Sequence, residues 1–331
     1  MIREAVKDRS YRATPVGLEV ARYYRWKRNE WGATASTLRD YEAILARLAI
    51  DHADLTLADF EPPVGTERIR EFWDRHWAER TPRTRAKVLS VIRDFFAWAV
   101  RERGLQGNPT LAIQAPKRRG VERTVFSRQI VQRIIAGQSL LSDRLACRLI
   151  LESALRKAEL AAVRFKHFDL ERQRLTVFGK GGKVRSVPIV DRHFWRDLGV
   201  LQLERMPEPD HYLLPKPPMT RRVGSWPDYR FAVVREFPDQ PISATSMHRW
   251  WYARLVEAGV ISDGTTSGEG MHRGRHTALT DLTRFPGANL KHVQLFAGHA
   301  SEATTADIYA HLDDVDLELV LRAMYEGRDG D

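Results

Sequence analysis

Cysteine is almost missing from this chain of 331 residues: Cys147 is the single copy. That excludes an intrachain disulfide and suits a reducing cytoplasm. Long apolar runs are missing too. No uncharged stretch approaches the ~18 residues a bilayer span needs, and the opening Met1-Ile2-Arg3-Glu4-Ala5-Val6-Lys7 has no apolar secretory segment. The expectation is a soluble protein that stays in the compartment where it is made. Acidic residues are in deficit, 43 against 53 Lys and Arg, giving a formal net charge of +10. A basic excess of that size favours polyanions such as DNA, RNA or an anionic membrane, and charge alone does not choose among them. Internal repeats and long low-complexity tracts are absent, which argues against solenoids and linker-like chains. What is present is 43% hydrophobic residues, enough to fill an ordinary core. The length allows two or three domains.

The first hundred residues read as helices. Leu18, Ala21, Tyr24 and Trp31 recur at helical intervals between Pro15 and Trp31, interleaved with Arg22, Arg25, Lys27 and Arg28. Leu38, Tyr41, Leu45 and Leu48 repeat the pattern over Ser36 to Ile50, and Ile69, Phe72, Trp73 and Trp77 over Thr66 to Glu79. The fourth helix has the clearest punctuation. Thr81 can cap it, Pro82 suits its first turn, Gly104 can end it, and Val88, Leu89, Ile92, Phe95, Phe96 and Ala99 share one face. A four-helix unit with basic outer faces follows. Asn108-Pro109 stops it, and Ala115-Pro116-Lys117-Arg118-Arg119-Gly120 reads as a basic interdomain linker able to track phosphates.

The rest is mixed. Ser127 caps a helix through Ile135, and another spans Asp143 to Ala154. Arg172 to Val190 reads as a β-hairpin turning at Gly179-Lys180-Gly181-Gly182. Helices resume near Arg192 and run from Thr245 to Ala258. Lys216 to Gln240, rich in Pro and Arg, reads as an irregular insertion. The last third is helical again over His272–Arg284, Leu290–Ala297, Ser301–His311 and Asp316–Tyr325.

Six residues in order carry the chemistry: Arg156, Lys180, His272, Arg275, His299 and Tyr309. Two guanidinium forks match the non-bridging oxygens of a phosphodiester. A lysine at the scissile bond can protonate a leaving 5′ oxygen. One histidine can accept a tyrosine proton, and a second can donate a hydrogen bond to a phosphorane-like transition state. Tyrosine, with a pKa near 10, needs that help to attack at neutral pH. Fixed cations can stabilise the transition-state charge without a metal or ATP, so no cofactor is expected.

These residues, with Ala-Leu-Arg-Lys-Ala-Glu-Leu around Arg156, Gly-Lys-Gly before a basic strand, and Gly-His followed by Thr-Thr and Tyr, resemble the tyrosine recombinase/integrase family of phage integrases and Xer recombinases. The resemblance runs from about Pro15 to about Met324. It implies a mainly α (α+β) protein. A helical SAM-like core-binding domain would occupy residues 12–112, with a linker at 113–124. A mixed catalytic domain of the DNA breaking-rejoining fold, with a small β-sheet and a C-terminal helix, would occupy 125–331. The two would clamp duplex DNA like a C.

The resemblance also implies the activity, a site-specific recombinase working through a 3′-phosphotyrosine and a Holliday junction, for integration or excision of a mobile element. Xer-like dimer resolution, type IB topoisomerase-like relaxation and a non-catalytic DNA-binding regulator are the alternatives. The partners implied are double-stranded DNA sites, a homotetramer joined by exchange of the C-terminal helix, and an accessory DNA-bending or directionality factor. The place implied is the cytoplasm, on the nucleoid. The family's further N-terminal arm-binding domain is not expected.

Two further departures from the family pattern stand out. His299 to Tyr309 spans ten residues where many members have nine, although members with Thr-Thr-Ala-Asp-x-Tyr use the longer spacing. The segment before His272 is longer than in compact Xer-like members. Lys183 rivals Lys180 in the same turn, with the 24-residue offset from Arg156 favouring Lys180. Further residues expected on DNA are Arg85, Lys87, Lys117, Arg118, Arg119, Lys183 and Arg185. The i, i+4 pair His272 and His276 does not read as a zinc helix, because Arg273 stands where a zinc protease has Glu. Tyr325 is the downstream rival to Tyr309.

Overall fold

The structure, a computed structural model, describes residues 9–116, 125–179, 182–223, 230–262, 270–298 and 314–329. The chain divides into two compact units, Met1–Val121 and Glu122–Asp331. Among the described residues no helix is long and apolar enough to cross a membrane.

The first unit is helical: α1 (Pro15–Asn29), α2 (Ala35–Asp51), α3 (Val64–Trp77) and α4 (Pro82–Arg103), with two short 3-10 turns. Capping explains the boundaries. Thr14, Thr34 and Thr81 each accept a backbone N–H in the first turn of the helix that follows, and α4 stops at Gly104 with a left-handed φ of 75°. The apolar faces meet in one aromatic-rich core containing Tyr23, Phe60, Phe72, Phe95 and Phe96. Lys27 is buried at its edge, bonded to Asp94 at 2.5 Å and ringed by Tyr23, Trp26, Trp31 and Tyr41. A buried ammonium is tolerated there because a carboxylate and four ring faces replace its water.

The second unit mixes helices and strands. α5 (Arg128–Ala136) and α6 (Leu141–Leu151) come first, then the single-turn α7 (Lys157–Ala161). A three-stranded antiparallel sheet follows in the order β1 (Phe168–Asp169), β2 (Arg174–Phe178), β3 (Val184–Pro188). Leu175 faces Val187 and Val177 faces Arg185 across β2 and β3. Next are α8 (Arg192–Arg205), strands β4 (Pro215–Val223) and β5 (Arg230–Pro241), and α9 (Ala244–Glu257). The chain continues with α10 (Met271–Arg284), α11 (Leu290–Ala297) and α12 (Asp314–Asp329). The architecture is mainly helical with small antiparallel sheets, as the fold-class reading has it.

One core joins these elements, with Leu145, Leu149, Ile150, Trp251 and Leu282 at its centre. α10 lies directly on α6. A β-carbon added at Gly274 would stand 2.7 Å from Ile150 Cγ2 and 3.1 Å from Leu151 Cδ2, so only a glycine allows this approach. The Arg273 guanidinium sits 4.2 Å from the Phe126 ring and donates to the Val125 carbonyl, while the Phe126 N–H donates to Thr277 Oγ1. The entry to the second unit is thereby tied to α10.

One sequence expectation needs correction. The described residues of the segment from Lys216 to Gln240 are not irregular: β4 and β5 form a two-stranded antiparallel ribbon with three register shifts. Prolines hide this from a reading by pattern, yet edge strands and bulges accommodate them, and this ribbon has both. The C-terminal helix of the single chain packs at home, with Leu317, Leu321 and Met324 buried in its own unit's core. The helix expected over Ser301–His311 lies outside the described residues.

Candidate active site

Arg156 stands at the N-cap of α7, directly after a tight turn. In that turn Ala154 adopts a left-handed φ of 52°, unusual for a residue with a β-carbon, and is fully buried. Its carbonyl accepts a hydrogen bond from Arg275 Nη1. Strained backbone of this kind persists where surrounding contacts over-determine it.

Glu159 is the hub. Its side chain is 3% exposed and takes four hydrogen bonds. Oε1 accepts from Arg156 Nη1 at 2.7 Å and from Arg185 Nη1 at 2.7 Å. Oε2 accepts from the Arg156 backbone N–H at 2.8 Å and from Arg185 Nη2 at 2.9 Å. Burial alone would raise its pKa. The bonds from Arg185 and from the Arg156 backbone N–H outweigh burial and hold the carboxyl at about 2.

The two candidate phosphate-binding arginines converge on the end of α11. Arg275 Nη2 donates to the Ala297 carbonyl at 2.6 Å, and Arg156 Nη2 donates to the next carbonyl, Gly298, at 3.0 Å. The last carbonyls of a helix lack intrahelical partners and carry its negative dipole end, so they are natural anchors for guanidinium groups. Gly298 closes α11 with a left-handed φ of 58°. An added β-carbon there would stand 2.8 Å from Arg185 Nη1 and 2.9 Å from Arg185 Cδ, so the turn rests on that side chain.

The electrostatics favour an incoming anion. Burial and the neighbouring Arg156 charge lower the pKa of Arg275 to about 10, still charged at neutral pH. Three guanidiniums, Arg156, Arg185 and Arg275, surround one carboxylate, Glu159. An oxyanion offsets such a surplus, and a phosphodiester brings one with the geometry that guanidinium forks match.

The structure brings Arg156 and Arg275 together. His272 lies in the first turn of α10, exposed, one turn before Arg275. Lys180, His299 and Tyr309 lie outside the described residues, whereas Gly179 and Gly298, which precede the first two, are placed. The Gly179 N–H donates to the Lys183 carbonyl at 2.7 Å, and a β-carbon on Gly179 would lie 3.8 Å from Glu159 Oε1. The base of the hairpin turn therefore abuts the arginine cluster.

Of the residues expected on DNA, Arg85 and Lys87 are on α4, paired with Asp74 at 2.9 Å and Asp40 at 2.8 Å. Lys183 is exposed beside the hairpin turn, and the Arg185 guanidinium is committed to Glu159. Lys117, Arg118 and Arg119 lie outside the described residues. Tyr325 lines a separate cleft of about 850 Å³, with Arg128, Arg148, Arg192 and Arg322, that shares no residue with the Arg156–Glu159–Arg275 cluster.

Sequence reasoning marked Gly298 as a helix C-cap but did not single out the Glu159 hub or Ala154. An Arg and Glu three apart read as a surface pair, and only the hairpin folding over them makes the carboxylate a buried hub. Alternation along β3 was the available signal, because it puts Arg185 on one face with Lys183 and Val187.

Residues 127–315 match the family model described as Phage integrase family. The chain is 26% identical to tyrosine recombinase XerC of Vibrio parahaemolyticus over 308 residues, covering 88% of this chain and 87% of that one. It is 27% identical to XerC of Escherichia coli O157:H7 over 315 residues, covering 91% and 93%. A lambda integrase dimer bound to a COC′ core site has a similar fold, with a TM-score of 0.62 at 17% identity over 86% of this chain and 95% of that one. More than half the chain matches the family model, and it belongs to the phage integrase family of tyrosine recombinases, enzymes that cleave and rejoin DNA.

Proposed function

We propose that this chain is a site-specific recombinase that cuts and reseals duplex DNA through a 3′-phosphotyrosine at Tyr309. The observation that supports it most is the anchoring of Arg156 and Arg275 on consecutive carbonyls at the end of α11, one residue before His299. In this reading both guanidiniums hold the non-bridging oxygens of the scissile phosphate. The Tyr309 oxygen attacks phosphorus while His272 takes its proton. The bond from phosphorus to the 5′ oxygen breaks, and Lys180 protonates the leaving oxygen. His299 donates a hydrogen bond to the phosphorane-like transition state. Attack by a 5′ hydroxyl of the partner duplex reverses these steps, so the ligation energy stays in the phosphotyrosine. Residues 12–112 serve as the core-binding domain, 113–124 as the linker and 125–331 as the catalytic domain. Four protomers on two DNA sites, exchanging α12, carry out strand exchange through a Holliday junction.

Integration or excision of a mobile element is the biological role we favour, supported by the β4–β5 ribbon, a segment beyond the compact Xer-like plan. A second reading, Xer-like dimer resolution, is favoured by the XerC identity of the relatives. The test is a suicide substrate built from DNA flanking the gene, with EDTA present, comparing wild type with Tyr309→Phe on a denaturing gel. An EDTA-resistant protein–DNA adduct that vanishes in the variant supports the proposal. An adduct surviving in Tyr309→Phe moves the nucleophile, with Tyr325 tested next. Relaxation of a plasmid lacking the site would favour the topoisomerase-like alternative.

A further inference from the structure

We infer that Arg185 is a positioning residue of the cleavage reaction, holding Glu159 and the Gly298 turn so that Arg156 is aimed at the scissile phosphate. The inference rests on the proposed DNA-cleavage reading. Arg156 has two named side-chain anchors, the Glu159 carboxylate and the Gly298 carbonyl. Arg185 touches both. Its fork bonds Glu159 at 2.7 and 2.9 Å, and its Nη1 and Cδ would stand under 3 Å from a β-carbon at Gly298. The four residues form a closed ring: Arg156 to Glu159, Glu159 to Arg185, Arg185 against Gly298, and Gly298 back to Arg156.

The ring joins three elements that are distant in sequence. Arg185 lies on β3, opposite Val177 in the hairpin whose turn carries Lys180. Glu159 is on α7, and Gly298 ends α11, one residue before His299. One side chain thus sets the spacing between the hairpin, the Arg156 turn and the Gly298 turn. The Arg185 side chain is 16% exposed and its fork is engaged by a carboxylate, so it acts through its neighbours and not as a phosphate ligand. Lysine cannot replace it fully, because an ammonium lacks the planar fork that spans both carboxylate oxygens.

The experiment uses the full chain and measures DNA affinity and single-turnover cleavage at saturating DNA separately. The variants are Arg185→Gln, Arg185→Lys, Glu159→Gln and the double variant Arg185→Gln/Glu159→Gln. Arg185→Gln is expected to bind DNA within about threefold of wild type and cleave roughly 10- to 100-fold more slowly, the scale of a misplaced catalytic group. Arg185→Lys, which keeps the charge and protects against a folding defect, is expected to recover part of that loss. The double variant should be no slower than the slower single variant. Weakened affinity with wild-type cleavage at saturation would make Arg185 a DNA ligand and overturn the inference, as would losses that multiply in the double variant. Wild-type cleavage by Arg185→Gln would refute the positioning role alone, whereas absence of any adduct from the wild type would refute the underlying DNA-cleavage reading.

Discussion

At the scale of single residues, the site is organised by its one buried carboxylate. Glu159 is held at about 2, below its ordinary 4.5. A carboxylate with a depressed folded pKa stabilises the fold fully above its unfolded value and loses that contribution as pH falls through the folded value. The contribution is on the order of 3 kcal/mol. Thermal melts of wild type should therefore fall between about pH 4.5 and 2 more steeply than those of Glu159→Gln, which has no such titration. Equal slopes would show that the ring is not formed in solution. Arg275 tests the other side of the site. Arg275→Lys should slow single-turnover cleavage on the order of 10²- to 10³-fold, as loss of a transition-state donor does, because one ammonium cannot reach both Ala154 and Ala297 while facing a phosphate. Arg156 and Arg275 were legible in the sequence because motif and order mark them. The Glu159 hub was not, since its burial comes from a hairpin that closes over it from beyond its own helix.

At the scale of elements, boundaries followed local chemistry and packing did not. The ends of α4 could be read from Thr81, Pro82 and Gly104, and the start of α5 from Ser127. Each depends on a single backbone hydrogen bond or a fixed φ. The ribbon of β4 and β5 escaped because its pairing is between strands and its prolines argue locally for a break. Two glycines show what a helix-period reading cannot see. Gly274→Ala should cost about 1–3 kcal/mol by overpacking α10 on α6, lowering Tm by a few degrees per kcal/mol in a unit of this size. Gly298→Ala meets both a left-handed backbone, worth roughly 1–2 kcal/mol, and the Arg185 side chain. Its cleavage rate should therefore fall further than its Tm would suggest. A variant that melts lower yet cleaves at the wild-type rate would detach the turn from the chemistry.

At the scale of the whole chain, the net charge of +10 has a measurable counterpart. Binding to duplex DNA should weaken steeply with salt, with a slope of about 0.9 per phosphate contact on a double-logarithmic plot. Lys87→Ala should reduce that slope by about one, whereas Arg185→Gln should leave it unchanged, because the Arg185 charge is spent on Glu159. A slope indifferent to Lys87 would remove that residue from the DNA surface. The fold class was readable from the family resemblance, with the helical periodicities of the first hundred residues in agreement. The docking of α12 on its own unit was not, because an amphipathic helix advertises a face without naming its partner.

The lone thiol adds a further consequence. Cys147 sits fully buried in α6, and burial pushes its pKa up. A thiol reagent can reach it only when the second unit opens, since ionisation and access are both denied in the closed state. The labelling rate of unmodified protein therefore clocks opening of the unit that carries Arg156 and Arg275, without a signal from the helical unit. Labelling slowed by a bound DNA duplex would express, in the currency of exchange kinetics, how far DNA contact closes that unit.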